Sequence, residues 1–270
     1  MPSIVPRIGF AIAIVAGLSG AAPADTLRIG GAGAATGFLP ELFAPFERSD
    51  ATKLTLIPNL GSGGGLRALE DGVLDVVVSG RALKPEELKH GLTQVLSIRT
   101  PFGLVTSLAR PNGLKSKDIA DIFKSQNAAW ADGTPIRIIL RPKTDSDTPI
   151  LGGMFPGMAA AIEDVRRRPD VPIAATDQDN ASLAERVSGS LAGSSFTQIK
   201  TERRALRFVA IDGVEPSLEH YQTGAYPYGR PLFFILPARK APAAERFIAY
   251  LRSGAGQAAL HATGNLPIVD

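Results

Sequence analysis

The residues with chemistry to offer fall in four short stretches. Gly31-Ala32-Gly33-Ala34-Ala35-Thr36-Gly37, Gly61-Ser62-Gly63-Gly64-Gly65 and Ser79-Gly80-Arg81 each follow a short apolar run. Arg141-Pro142-Lys143-Thr144-Asp145-Ser146-Asp147-Thr148 follows another, further along the chain. Glycines let backbone N–H groups come close to a ligand, and hydroxyls add neutral donors beside them. An arginine at a strand end offers a planar, permanently charged donor fork that matches an oxyanion. Three glycine–hydroxyl stretches at one sheet edge, with helices aiming their positive ends at the same place, make a cradle for a small anion. The stretch from Arg141 to Thr148, taken alone, reads first as an ordinary helix N-cap beside a solvated arginine.

Other chemistries lack their residues. Gly31-x-Gly33 has Thr36 where a dinucleotide fingerprint needs its third glycine, and no acid closes the second strand to hold a ribose. A G-x-x-x-x-G-K-[ST] phosphate loop is also missing. His90, His220 and His261 are scattered outside the glycine stretches, with no G-x-S-x-G, S-x-x-K or H-E-x-x-H around them. No catalytic residue and no cofactor is therefore assigned, and an enzyme is not expected. Asp145-x-Asp147 supplies too few carboxylates for a hard cation, so the pair reads as turn acids and no metal is assigned. The formal charge of +3 suits an anionic ligand but is far too small for nucleic acid. Arg166-Arg167-Arg168 is the one basic run; it closes a periodic stretch, where cations favour a helix C-terminus.

The elements that must position these stretches follow from pattern. Leu27–Ile29, Leu54–Ile57 and Leu74–Val78 read as buried strands, with helices over Leu39–Phe46 and from Leu66 to Glu70 between them. Such a β-α-β-α-β order argues an open parallel α/β sheet. Phe102–Ala109 is a fourth strand leading into the crossover Arg110-Pro111-Asn112-Gly113. A second α/β unit begins with the strand Ile136–Leu140. Asp118–Phe123, Met158–Arg166 and Ala181–Val187, the last capped by Asn180, read as helices. Phe208–Ile211 and Leu232–Leu236 are strands, and helices over Ala243–Arg252 and Gly256–His261 follow. No repeat or low-complexity linker divides the 270 residues, so two lobes must share the chain by crossing over.

Ahead of all this lies Arg7, the apolar run Ile8–Leu18 and Ala22-Pro23-Ala24, the pattern of a secretory signal peptide cleaved before Asp25. Loss of Arg7 lowers the charge from +3 to +2, since residues 1–24 hold no acid. The apolar run is too short to span ~30 Å of hydrocarbon. There is no cysteine, so disulfides, thiol chemistry and a lipid-modified cysteine after the signal are all excluded. A free periplasmic protein is the expectation.

Gly31–Thr36, Gly61–Gly65, Asp75–Leu83, Arg141–Thr148, Gly189-Ser190-Leu191-Ala192-Gly193 and Tyr226-Pro227-Tyr228-Gly229-Arg230-Pro231-Leu232 occur in the order of a known family. The chain resembles the phosphate-type periplasmic binding proteins of ABC transporters. The resemblance implies an α/β, two-lobed type 2 periplasmic binding fold, each lobe an open, mainly parallel sheet flanked by helices. Lobe one is expected over residues 25–108 and 229–270, and lobe two over 109–228. It further implies inorganic phosphate or a similar oxyanion as ligand, ABC permease subunits as partners, and a monomer. Thr36, Ser62, Gly63 and Ser79 would donate from the first lobe, with Arg81 capping the site or bracing the lobe. Arg141, Ser146 and Thr148 would donate from the second. Gly80 stands where some phosphate binders have an aspartate that accepts the ligand's proton, and Asp147 stands where the family has glycine. Either Asp147 supplies the missing acceptor, or it points to solvent. The alternatives left open are another ligand (molybdate, sulfate or a small organic acid) and a ligand sensor of the same fold.

Overall fold

The computed structural model describes residues 25–268; the expected signal peptide lies outside the described residues. The chain runs β1 (Thr26–Gly31), α1 (Gly33–Ser49), β2 (Lys53–Ile57), α2 (Gly61–Glu70), β3 (Val76–Ser79), α3 (Pro85–Lys89) and β4 (Thr93–Thr106). It continues through α4 (Ile119–Lys124), β5 (Arg137–Ile138), α5 (Asp147–Met154), α6 (Met158–Arg166), α7 (Asp177–Arg186), β6 (Ser190–Ser195), α8 (Phe196–Thr201), β7 (Arg207–Phe208) and α9 (Leu218–Gln222). It ends with β8 (Gly229–Leu236), α10 (Pro242–Arg252), α11 (Gly254–Ala262) and β9 (Leu266–Pro267).

The strand order is β2-β1-β3-β8-β4-β6-β5, with β7 and β9 also on β4. β1 pairs in parallel with β2 and β3, and β5 with β6. The antiparallel pairs are those that β4 and β8 make. β4 is long because it serves two sheets: Thr93–Pro101 pairs with β8, and Phe102–Val105 pairs with β6. Two separate apolar bodies result. One gathers Ile29, Phe38, Leu42, Val76, Val78, Ile98, Phe234 and Phe247. The other gathers Phe102, Leu104, Phe123, Leu151, Met158, Ile162, Leu191 and Tyr226. β3 is wholly buried and β-branched except for Ser79, as a strand covered on both faces must be.

Several elements start earlier than the apolar pattern suggests. The glycines after β1 and β2 are the first turns of α1 and α2, not loops. Close packing explains why glycine stands there. A Cβ on Gly65 would lie 2.8 Å from the Gly31 Cα, so α2 rests directly on the end of β1. Helix α7 starts at a capping box in which Thr176 Oγ1 accepts from the Asp179 N–H and Asp179 Oδ2 accepts from the Thr176 N–H. That places its start ahead of Asn180, whose buried amide donates to the Gly193 carbonyl instead. The half of β4 before Phe102 escaped the pattern because it is polar and interrupted by Pro101.

Two substitutions on one helix test this packing. Gly65→Ala should lower stability by about 1–3 kcal/mol through overpacking against β1. Gly64→Ala, whose Cβ would meet only Leu60 at 3.7 Å, should be neutral or stabilising by up to about 1 kcal/mol through helix propensity. Urea denaturation of the two variants measures both.

Candidate functional site

The carboxyl ends of β1 and β3 meet where α1 and α2 begin. Gly31 turns the chain with φ +128°, and a Cβ there would strike the Val78 carbonyl; the next residue, Ala32, donates its N–H to that same oxygen at 2.7 Å. Gly61, at φ +63°, admits the chain to α2. Ser62 Oγ accepts the Gly80 N–H at 2.8 Å, pinning the turn after β3 to the start of α2. Ser79 is fully buried, and its hydroxyl is spent on the Arg81 carbonyl at 2.7 Å. Arg81 forms a two-pronged ion pair with Glu87, at 2.8 and 2.6 Å, which raises the guanidinium pKa and lowers that of the carboxyl through the shared hydrogen bond.

The opposing body contributes the turn between β5 and α5 and the start of α7. Arg141 is buried, with Nη1 donating to the Ala174 carbonyl at 2.5 Å and Nη2 to Asp145 Oδ2 at 2.6 Å. Asp177 Oδ1 lies 3.1 Å from the same Nη2, while Arg141 Nε is buried with no partner. Arg166, in the last turn of α6, holds the Arg141 carbonyl at 2.9 Å. Asp145 Oδ1 accepts the Asp147 N–H at 2.9 Å, and Thr148 Oγ1 turns back to the Pro142 carbonyl at 2.8 Å. Asp177 occupies the first position of α7, and its Oδ2 packs on Gly33, where a Cβ would leave no room. That carboxylate therefore sits at the positive end of α1.

Arg230, at the start of β8, is 1% exposed and crosses to the other body: its Nη1 lies 2.5 Å from Asp147 Oδ1 and its Nη2 donates to Ser146 Oγ at 3.2 Å. Asp145, Asp147 and Asp177 each place an oxygen within 4.8 Å of the others. Three carboxylates thus face two guanidinium groups. Burial pushes the Asp147 carboxyl up, to about 8, with Asp177 and Asp145 adding to the rise and Arg230 opposing it. Burial raises Asp145 too, helped by Asp177. Burial works to lower Arg230, but Asp147, Asp177 and Asp145 together carry it upward. One oxygen of each carboxylate faces a guanidinium: Asp145 and Asp177 on Arg141, and Asp147 on Arg230.

A chamber of about 120 Å³ lies between the bodies, walled by Ala32, Gly33, Asn59–Ser62, Arg141, Asp145, Ser146 and Ala175–Gln178. Of the residues singled out from sequence, Ser62, Arg141 and Ser146 meet here, and Gly63 lines the adjoining mouth with Arg81. Thr36 is half-buried within α1 and lines neither space; Ser79, Asp147 and Thr148 point into local hydrogen bonds or, for Asp147, into the ion pair with Arg230. Asp147 is 5% exposed and so does not point to solvent. Sequence reasoning missed Asp177 and Arg230. Thr176-Asp177-Gln178-Asp179 carried a capping-box signal for the first; nothing in spacing marked Arg230 as part of a site.

A family model described as a PBP superfamily domain matches residues 17–254. No curated protein matches the chain. Among solved structures, the chain is similar to a candidate phosphate ABC transporter substrate-binding protein with bound phosphate from Clostridium perfringens, at 18% identity and TM-score 0.73, over 91% of this chain and 100% of that one. It is also similar to an ABC-type phosphate transport receptor from Vibrio cholerae (14% identity, TM-score 0.61, 90% and 100% covered). A phosphate-binding protein from Stenotrophomonas maltophilia matches at 14% identity and TM-score 0.65, with 90% and 91% covered. The two-lobed periplasmic binding fold expected from the sequence is the fold observed. Among the described residues, no helix is long and apolar enough to cross a membrane.

The buried cluster yields two predictions. Arg230→Met leaves the buried Asp147 and Ser146 without their shared partner and should cost about 1–3 kcal/mol, whereas Arg230→Met combined with Asp147→Leu should recover most of that loss; a double-mutant cycle by denaturation reads the difference. Asp147 holds its proton in the native state up to about pH 8 but loses it near its ordinary value of 3.8 when unfolded. Between those limits the native state binds more protons, so stability should fall as pH rises through this window. Asp147→Asn should flatten the slope of melting temperature against pH; an unchanged slope would refute the assignment.

Proposed function

The chain belongs to the PBP superfamily, whose fold is that of substrate-binding proteins and not of enzymes, and from this premise we propose that it captures inorganic phosphate for an ABC transporter. One observation carries the reading: the amino end of α2 with Ser62, and Arg141 with Ser146 from the opposing body, converge on one small chamber. A tetrahedral oxyanion there accepts hydrogen bonds from the helix end, from the hydroxyls and from the unpartnered Arg141 Nε. The relatives named above carry phosphate in their descriptions, which supports the same ligand.

The carboxylates favour one class of oxyanion. Asp145 and Asp177 line the chamber, and a carboxylate beside an anion is repulsive unless the ligand donates a proton between them. Hydrogenphosphate has such a proton and sulfate does not. In this reading Asp145 and Asp177 take the acceptor part, and Asp147 acts indirectly by holding Arg230 and Ser146. The two bodies swing about the crossings of β4 and β8, and the ligand favours closure by contacts available only when both sides meet. We also propose export to the periplasm, delivery to permease subunits and action as a monomer; the lobes divide much as the sequence suggests, except that β4 passes into the second body at Phe102 and not after residue 108.

Calorimetric titration of residues 25–270, stripped of ligand, tests the proposal. Phosphate should bind, with sulfate and molybdate at least about tenfold weaker. Arg141→Ala should lower phosphate affinity by roughly ten- to a hundredfold, the value of a charge-assisted hydrogen bond. Equal binding of all three anions would overturn the role of the carboxylates; no binding of any would overturn the ligand class.

A further inference from the structure

The small chamber opens into a second one of about 530 Å³, and the two share Leu60, Gly61, Ser62, Asp145, Ser146 and Ala175. The remaining wall of the larger space is basic, with Arg67, Arg81 and Lys84 facing one further acid, Glu87. These charges are not equally available. Arg81 is neutralised by its two-pronged pair with Glu87, and Asp145 is held by Arg141. Lys84 has only a loose approach of 3.9 Å to the exposed Glu86. Arg67 makes no ion pair among the described residues. Two cations are therefore left for whatever enters.

Part of the wall of the larger chamber is bare backbone. Gly63 and Gly64 have no side chain, and neither would bring a Cβ closer than 3.7 Å to any neighbour. Arg67 stands four residues after Gly63 on α2, so its side chain rises from the same helix face. Lys84 is presented by a braced turn: its N–H donates to Glu87 Oε2 at 2.7 Å while Glu87 also grips Arg81.

We propose that the outer chamber is a second anion subsite, and that the ligand class includes compact molecules in which a phosphoryl head is joined to a second anionic group. The head occupies the inner chamber, and the second group, another phosphoryl or a carboxylate, lies over Gly63 and Gly64 between Arg67 and Lys84. Both fixed cations are solvent-facing, so their attraction is screened by salt and strengthens when the bodies close. This inference rests on the phosphate reading of the inner chamber and extends its ligand.

The test titrates the same protein with orthophosphate, diphosphate and phosphonoacetate at low and moderate salt. Diphosphate or phosphonoacetate should bind at least about tenfold more tightly than orthophosphate, with the advantage shrinking as salt rises. Arg67→Ser with Lys84→Ser should abolish that advantage while leaving orthophosphate affinity within about twofold. Orthophosphate binding as tightly as the two-headed ligands overturns the second subsite and leaves the inner one standing. Failure of all three to bind overturns both. An equal loss of every ligand in the double variant also overturns it, since the cations would then act on the fold or on the head alone. Binding of diphosphate without orthophosphate upholds the second subsite and rejects orthophosphate as the ligand.

Discussion

The structure turns on a charge imbalance buried between two bodies. Arg141 and Arg230 cannot leave their charge uncompensated in a low-dielectric interior, and three carboxylates answer them. Two cations face three acids, and burial in this company pushes the Asp147 carboxyl up, to about 8. Because Arg230 belongs to β8 and Asp147 to α5, the same pair that balances charge also fastens the bodies together. Ser146 is oriented by that fastening, since Arg230 grips it as well. Ligand geometry, closure and protonation are therefore one coupled problem.

The glycines are the other side of this arrangement. A Cβ at Gly80 would lie 2.4 Å from Arg230 Nη2 and 2.5 Å from Ser146 Oγ. A side chain at that position would displace the ends of Arg230 and Ser146 from their present contact. Gly33 plays a matching part beneath Asp177. Both absences of side chain are set by the charged groups that pass over them.

Much of the fold was legible because apolar runs and turn residues are local signals. The β1-α1-β2-α2-β3 unit and the helix Met158–Arg166 show in periodicity alone. What escaped is non-local. β4 is polar over half its length because its partners, not its own residues, define it as a strand. The inner chamber gathers Ser62, Arg141 and Ser146 as strand-end chemistry suggests. Arg230 gave no such sign, because it reaches the site from a strand far along the chain, after the crossover back. The direction of a side chain was equally hidden: Ser79 and Thr148 have the right type and place, yet spend their hydroxyls on nearby carbonyls.

Arsenate, a phosphate analogue with a strong anomalous signal, gives the most direct test of the central claim. Crystals grown with arsenate should show one dominant arsenic peak within hydrogen-bonding reach of the α2 amino end, Ser62, Ser146 and Arg141, with Asp145 or Asp177 sharing a proton with it. A protein crystallised in that anion with no arsenic in the inner chamber, or with arsenic only on Arg67 and Lys84, would contradict the account.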